Sequence, residues 1–132
     1  MKLAMFVALL AQAGPGERFD LSCAGTHVTR SVSGYVSEPY ASRFRVDLAA
    51  LHWCEDSCRA VREIAGLGPA TIAFEETGGA PDVDEVSHLL YRHTRRHFRV
   101  RYDRHNGFIR TNEWQGQCEY RPFSGFPGRL QP

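Results

Sequence analysis

Trp53-Cys54-Glu55-Asp56-Ser57-Cys58 is the stretch of this chain whose residue types are best suited to chemistry. Two thiols this close can cycle between dithiol and disulfide, hold a metal, or lock a turn. Redox pairs generally use a tighter two-residue spacing at a helix start within a βαβ unit. No such pattern surrounds Cys54 and Cys58, and the two carboxylates between them disfavour a thiolate. Residues four apart on a strand are ~13 Å from each other. A disulfide needs its Cα atoms within ~7 Å. A bond between the two therefore requires a helical turn or a tight loop, and the pair reads as a structural clamp.

Metal and nucleophile machinery is thin elsewhere. His93 and His97 have the i, i+4 spacing that puts two imidazoles on one helical face. However, Thr94 stands where an H-E-x-x-H site has its glutamate, and Arg92, Arg95 and Arg96 would repel a cation. His52 beside Cys54 suggests a ligand only if Cys58 stays reduced. Asp82, Asp84 and Glu85 resemble fragments of a calcium loop without its glycine. No G-x-S-x-G elbow occurs. Gly66-Leu67-Gly68 runs into Pro69 and opens no phosphate-binding helix. Glu75 and Glu76, being consecutive, would point to opposite faces of a strand. The residues support a non-enzymatic protein with no cofactor and no metal, and a thiol-redox or metal-dependent enzyme is the third-ranked reading.

Charge offers a different kind of site. Near-balanced totals of 16 Lys and Arg against 15 Asp and Glu hide a division along the chain. From Asp47 to Glu85 nine acids face only Arg59 and Arg62, whereas from Val86 to Asn112 seven arginines face only Asp103. Such halves can pair across a sheet or form solvated faces. They can also present an anion site, because the arginine fork matches phosphate and carboxylate. Arg92, Arg95, Arg96, Arg99 and Arg101 are the candidate anion-binding residues. His93, His97 and His105 would add charge below about pH 6.5.

The elements that must position these residues read as strands. Phe19, Leu21 and Cys23 alternate with polar residues, as do Phe44, Val46 and Leu48, and Phe98, Val100 and Tyr102. Such alternation marks half-buried antiparallel strands, with one face on the core and the other in water. Ile72 and Phe74 mark another strand, and Asn106-Gly107 is a hairpin signal leading into Phe108–Glu113. Trp114–Arg121 would make the last strand after a bend at Gln115-Gly116. Only Leu51–Ile64 and Asp82–His97 offer helical spacing, the second with an equal claim as strand. Thr29–Ser42 and Thr77–Val83, rich in Ser, Gly and Pro, read as surface connections. The expected fold is all-β: an antiparallel meander of about six strands, forming a partly closed barrel or curved sheet, with one or two short helical turns.

The first thirteen residues read as a signal peptide. Lys2 is followed by the apolar run Leu3–Leu10 and by Ala11-Gln12-Ala13, an A-x-A cleavage signal. The run is too short to span a bilayer, which takes ~20 residues. The mature chain, 14–132, suits a single periplasmic or secreted domain. In an oxidising compartment Cys23, Cys54, Cys58 and Cys118 form a disulfide framework first. Cys23 is in phase with Leu21 on the first strand and Cys118 with Tyr120 on the last, so a bond between them would close the meander. Export also makes nucleic acid a poor partner for the arginines. Envelope lipid phosphates, an anionic polymer or an acidic protein fit better.

Four segments together carry a resemblance: Phe19–Thr26, Arg43–Ala49, Trp53–Cys58 and Gly116–Pro127. In this ordered set the chain resembles small exported alphaproteobacterial proteins of unknown function, sphingomonad-type in particular. The resemblance implies export and a shared fold, and it brings no activity with it. The layout of a cysteine in the first strand and another in the last is also similar to periplasmic lysozyme inhibitors of the small β-barrel type. Ser33-Gly34-Tyr35 is similar to part of their S-G-x-x-Y loop, with the tyrosine closer to the glycine. That likeness implies an alternative role as inhibitor of an envelope-targeting hydrolase such as lysozyme.

Overall fold

The computed structural model describes residues 16–77, 85–105 and 107–128. The expected signal peptide, Asp82, Asp84 and Asn106 lie outside the described residues. Among the described residues nine strands form one antiparallel sheet: β1 Arg18–Ser31, β2 Gly34–Asp47, β3 His52–Glu55, β4 Arg62–Glu63, β5 Gly66–Leu67, β6 Thr71–Thr77, β7 Glu85–Tyr91, β8 Arg96–His105 and β9 Phe108–Arg121. Their spatial order is β4-β3-β2-β1-β9-β8-β7-β6-β5. The first and last strands are therefore neighbours in the middle of the sheet. The two edges, β4 and β5, are consecutive in sequence.

That order makes the sheet curl on itself. Ile64 N–H donates to Leu51 O at 2.9 Å on one edge, and Ala65 N–H donates to Ala73 O at 2.9 Å on the other. The chain thus passes from edge to edge within one peptide, and the curled sheet forms a half-barrel. Phe19, Leu21, Phe44, Val46, Trp53, Ile72, Phe74 and Leu90 fill its concave side, each at most 1% exposed. Phe44 packs against Phe74, Trp53 and His88 with ring centroids 5.9, 6.1 and 5.2 Å apart. Burying large aromatic and branched side chains on one face is the main term holding such a sheet together.

Both disulfides are present. Cys23 and Cys118 are directly opposite in the β1–β9 register, with Cα atoms 4.0 Å apart. Cys54 and Cys58 join across a tight loop at a Cα separation of 5.0 Å. Asp56 and Cys58 have φ of 51° and 56°, left-handed values that no helix continues. Asp56 N–H donates to Arg43 O at 2.7 Å, and Arg43 N–H to the Asp56 carboxylate at 3.0 Å, so the clamp is stitched to β2.

Several expectations change. Leu51–Ile64 is not helical but holds β3, the clamp and β4. The described part of Asp82–His97 is β7, a turn and the start of β8, with Arg95 at φ 62°. The loop expected at Thr29–Ser42 is instead the hairpin between β1 and β2, turning at Val32-Ser33. Its outer half faces no core, so it carries no apolar alternation to betray it. β9 also runs unbroken through Gln115-Gly116. The tail beyond β9 packs on the convex side of the sheet, with Ser124 Oγ donating to buried Asp20 at 2.6 Å and Arg45 donating to Gly125 O at 2.8 Å. Among the described residues no helix is long and apolar enough to cross a membrane.

Candidate functional site

The polar groups that could act chemically lie on the concave face, above the apolar layer. The register places His27, Trp114, Arg99, His88 and Glu75 side by side across β1, β9, β8, β7 and β6. One step deeper, Tyr40, Gly25, Gly116, His97, Leu90 and Ile72 form the next row. Period-two alternation along β8 holds, but its faces are assigned against hydrophobicity. His97 and Arg99 turn to the concave side, while Phe98 and Val100 are half-buried on the convex side. Tyr102 is 41% exposed.

A chain of hydrogen bonds crosses the interior. The Tyr40 hydroxyl lies 2.6 Å from His97 Nδ1, and His97 Nε2 lies 2.6 Å from His88 Nε2. Burial pushes the Tyr40 phenol up to about 12, so it keeps its proton. Burial also pulls His88 down to about 4 and His97 down to about 3, so both rings are neutral. Only one direction satisfies these states. Tyr40 donates to His97 Nδ1, His97 Nε2–H donates to His88 Nε2, and His88 Nδ1–H faces outward. It faces Glu75, whose Oε1 is 3.8 Å away, a chiefly electrostatic contact beyond hydrogen-bond length. That His88 N–H, together with Arg99 and Arg62, holds the Glu75 carboxyl below its ordinary range against the opposing effect of burial.

Two elements of sequence make the chain possible. A β-bulge between Ala73 and Glu75 in β6 turns both Phe74 and Glu75 toward the interior. The directly paired Gly25 and Gly116 leave the floor bare, so that Tyr40 can reach across β1 and β9 to His97. A Cβ on Gly116 would lie 2.5 Å from the Tyr40 hydroxyl and overlap the Ala24 carbonyl. Gly116→Ala is accordingly expected to cost about 2 kcal/mol or more through forced backbone displacement, read as a lower urea midpoint. A midpoint equal to the parent's would refute the close approach.

The arginines singled out from sequence divide by location. Arg99 is 19% exposed in its side chain and donates to both Glu55 oxygens and to Glu75 at 3.1 Å. Arg62 reaches the same Glu75 oxygen at 3.3 Å. Here the acidic and basic halves of the chain pair across the barrel. Arg99 also lies over Trp114, 5.4 Å from its ring, and Trp114 stacks on His27 at 4.3 Å. Arg92 donates to Gly68 O at 3.1 Å. Arg95 and Arg96 are exposed at the β7–β8 turn, and Arg101 is exposed further along β8. Sequence reasoning passed over Tyr40, Glu75, His88 and His97 as a unit. The available signal was His97 in phase with Arg99, read without knowing which face was inside. A ring nitrogen of His97 also lies within 4.8 Å of both Cys23 and Cys118 sulfurs, which are spent in the disulfide.

A second region stands apart from this interior. Beyond the barrel β1–β2 and β8–β9 extend as two hairpins, paired to each other as far as Arg30 and Thr111. Their tips flank one cleft of about 260 Å³, lined by Ser31, Val32, Ser33, Phe108, Ile109 and Arg110. Val32, Tyr35, Val36, Phe108 and Ile109 are 56% to 71% exposed there. Arg30, Arg101, Arg104 and Arg110 share this end with the carboxylates Asp103, Glu113 and Glu85; Glu113 lies 3.9 Å from Arg30, and Glu85 pairs with Tyr102 beside Arg101. Arg110 grips Asp103 through two bonds of 2.9 and 3.0 Å. Arg30 lies 5.4 Å over the Tyr35 ring.

Compared with known proteins, the chain matches no family model, no curated protein and no solved structure.

Proposed function

We propose that this disulfide-stapled β domain is an exported, non-enzymatic binding module whose binding end is the joint tip of the two long hairpins. The resemblance to small exported alphaproteobacterial proteins supports its placement in the periplasm or outside the cell, as do two disulfides in a 132-residue chain. One observation carries the reading of the binding end. Exposed Arg30, Arg101 and Arg104 stand at the same end of the molecule as the exposed apolar side chains Val32, Tyr35, Val36, Phe108 and Ile109. The charged groups of the interior, by contrast, largely pair with one another: Arg99 is neutralised by Glu55 and Glu75, and the histidine pair is enclosed. They hold the barrel together and leave recognition to the tip.

The partner class is an anionic component of the envelope. Arg101, exposed on β8, belongs to this end, whereas Arg92, Arg95 and Arg96 lie at the β7–β8 turn, at the opposite end of β8. Binding of this kind is screened by salt over a Debye length of ~8 Å at physiological ionic strength. The mature protein is expected to be retained on an immobilised soluble polyanion such as polyphosphate at low salt and released by added salt. Replacing Arg30 and Arg104 by glutamine should shift release to lower salt. Wild-type protein that flows through at low salt would sink the proposal.

A further inference from the structure

The tip is ordered by depth and by face, and both orderings bear on what it meets. Val32 and Phe108 stand at the two turns, and Ile109, Tyr35 and Val36 come within the next residues. Arg104 and Arg110 follow directly behind, and Arg101 lies about 13 Å below the end at ~3.3 Å per residue. Apolar side chains therefore lead, with aromatic rings and arginines behind them.

The register also assigns faces. Val36 pairs with Thr29, Thr29 with Asn112, and Asn112 with Arg101, so these share the concave side, as Phe108 and Arg110 do by phase. Tyr35 pairs with Arg30, and Ile109 with Arg104, on the opposite side. Apolar residues and arginines thus appear on both faces of the same end. A folded protein partner covers one face of a sheet and would leave the other apolar face in water. A fluid that closes around the tip satisfies both.

Resting on the reading of this end as the binding end, we infer that the two hairpin tips insert into the surface of an anionic phospholipid bilayer. The apolar side chains enter the boundary between headgroups and acyl chains, and the arginines meet the lipid phosphates. Tyr35 suits this interface because its ring is apolar and its hydroxyl stays wet. Arginine suits it because its fork binds phosphate oxygens in pairs while its stem lies along apolar surface. The arginines exposed near the tip, Arg30, Arg101 and Arg104, complement the negative potential of such a surface. The barrel and its disulfides remain outside the lipid.

Co-sedimentation of the mature, oxidised protein with vesicles tests this directly. One vesicle is equal parts phosphatidylglycerol and phosphatidylcholine, and the other is phosphatidylcholine alone. The protein is expected to partition onto the first and not the second. Val32→Ser with Ile109→Ser should lower that partitioning by about tenfold, through lost apolar transfer, while leaving polyphosphate retention unchanged. Arg30→Gln with Arg104→Gln should lower both, with about fivefold lost on vesicles per arginine. These positions are exposed at or near turns, and a near-ultraviolet circular dichroism spectrum matching the parent's confirms that each variant is folded. If the serine variant binds vesicles as well as the parent, insertion is wrong although the charged end stands. If the parent ignores anionic vesicles but is retained on polyphosphate, the lipid partner is wrong. If it is retained on neither, the binding end itself is misassigned.

Discussion

Replacing Cys23 and Cys118 together by alanine is expected to lower the unfolding free energy by about 4 to 5 kcal/mol, the chain-entropy figure for a loop of this size. The two cysteines are 95 residues apart in sequence, yet directly opposite each other in adjacent strands. The covalent link therefore removes most of the freedom that the unfolded chain would otherwise have in separating its ends. Both side chains are buried, at 2% and 0% exposure, so truncation also leaves a small void under β1 and β9. The same replacement at Cys54 and Cys58 opens a ring only four residues across and is expected to cost about 2 kcal/mol. Denaturant titration of the two double variants beside the parent measures both. Equal losses, or a larger loss at the clamp, would show that loop closure does not govern the stability of this sheet.

Acid should undo the fold through the interior histidines. His88 and His97 have folded-state pKa values of about 4 and about 3, below the unfolded value of 6.5, because burial disfavours the imidazolium. For a histidine shifted in this direction the unfolded chain binds the proton more readily. Their stabilising effect is therefore complete above pH 6.5 and is lost as pH falls from there toward 4. The unfolded chain takes up a proton at each of the two histidines across that window, at a cost on the order of 3 kcal/mol for each by linkage. The groups facing the pair do little to offset it. Tyr40 from β2 stays neutral, Arg99 from β8 and Arg62 from β4 repel the new charge, and Glu75 from β6 attracts it. Glu75 has a depressed pKa, so its own contribution is present at neutral pH and is lost at still lower pH as it protonates. The urea midpoint should fall steadily between pH 6.5 and 4, and His88→Gln should flatten that fall. A midpoint constant over this range would rule out neutral histidines in the core.

How far the sequence anticipates these features differs from one element to the next. The pairing of Cys23 with Cys118 was legible because both lie in phase with apolar strand residues, and because the alternation around Phe19 and Tyr120 is that of a half-buried strand. The clamp at Cys54 and Cys58 was legible from distance alone, since no strand can bring residues four apart into bonding range. Trp53, beside the clamp, is 1% exposed in the core. The outer hairpin between β1 and β2 was not legible. Val28 to Pro39 has no apolar core to face, and without burial there is no hydrophobic period to detect. Helical spacing misled at Leu51–Ile64 because the clamp and a left-handed Leu51, at φ 58°, interrupt what the residue types alone allow.

The sequence by itself determined the β class, the disulfide partners, the hairpin leading into Phe108 and the segregation of acidic from basic residues. Those rest on local rules: the two-residue period, the reach of a bond, and the backbone freedom of particular turn residues. Tertiary structure decided which face of β8 lies inside, and with it the fate of the arginines. Period two specifies which residues share a face but not which face meets the core, and on β8 the ion pairs of Arg99 with Glu55 and Glu75 outweighed the apolarity of Phe98 and Val100. It also decided that Tyr40, His97 and His88 form one hydrogen-bonded chain with Glu75 facing its end, because a bulge in β6 and a bare glycine pair between β1 and β9 bring Tyr40 of β2 together with residues of the neighbouring strands β6, β7 and β8.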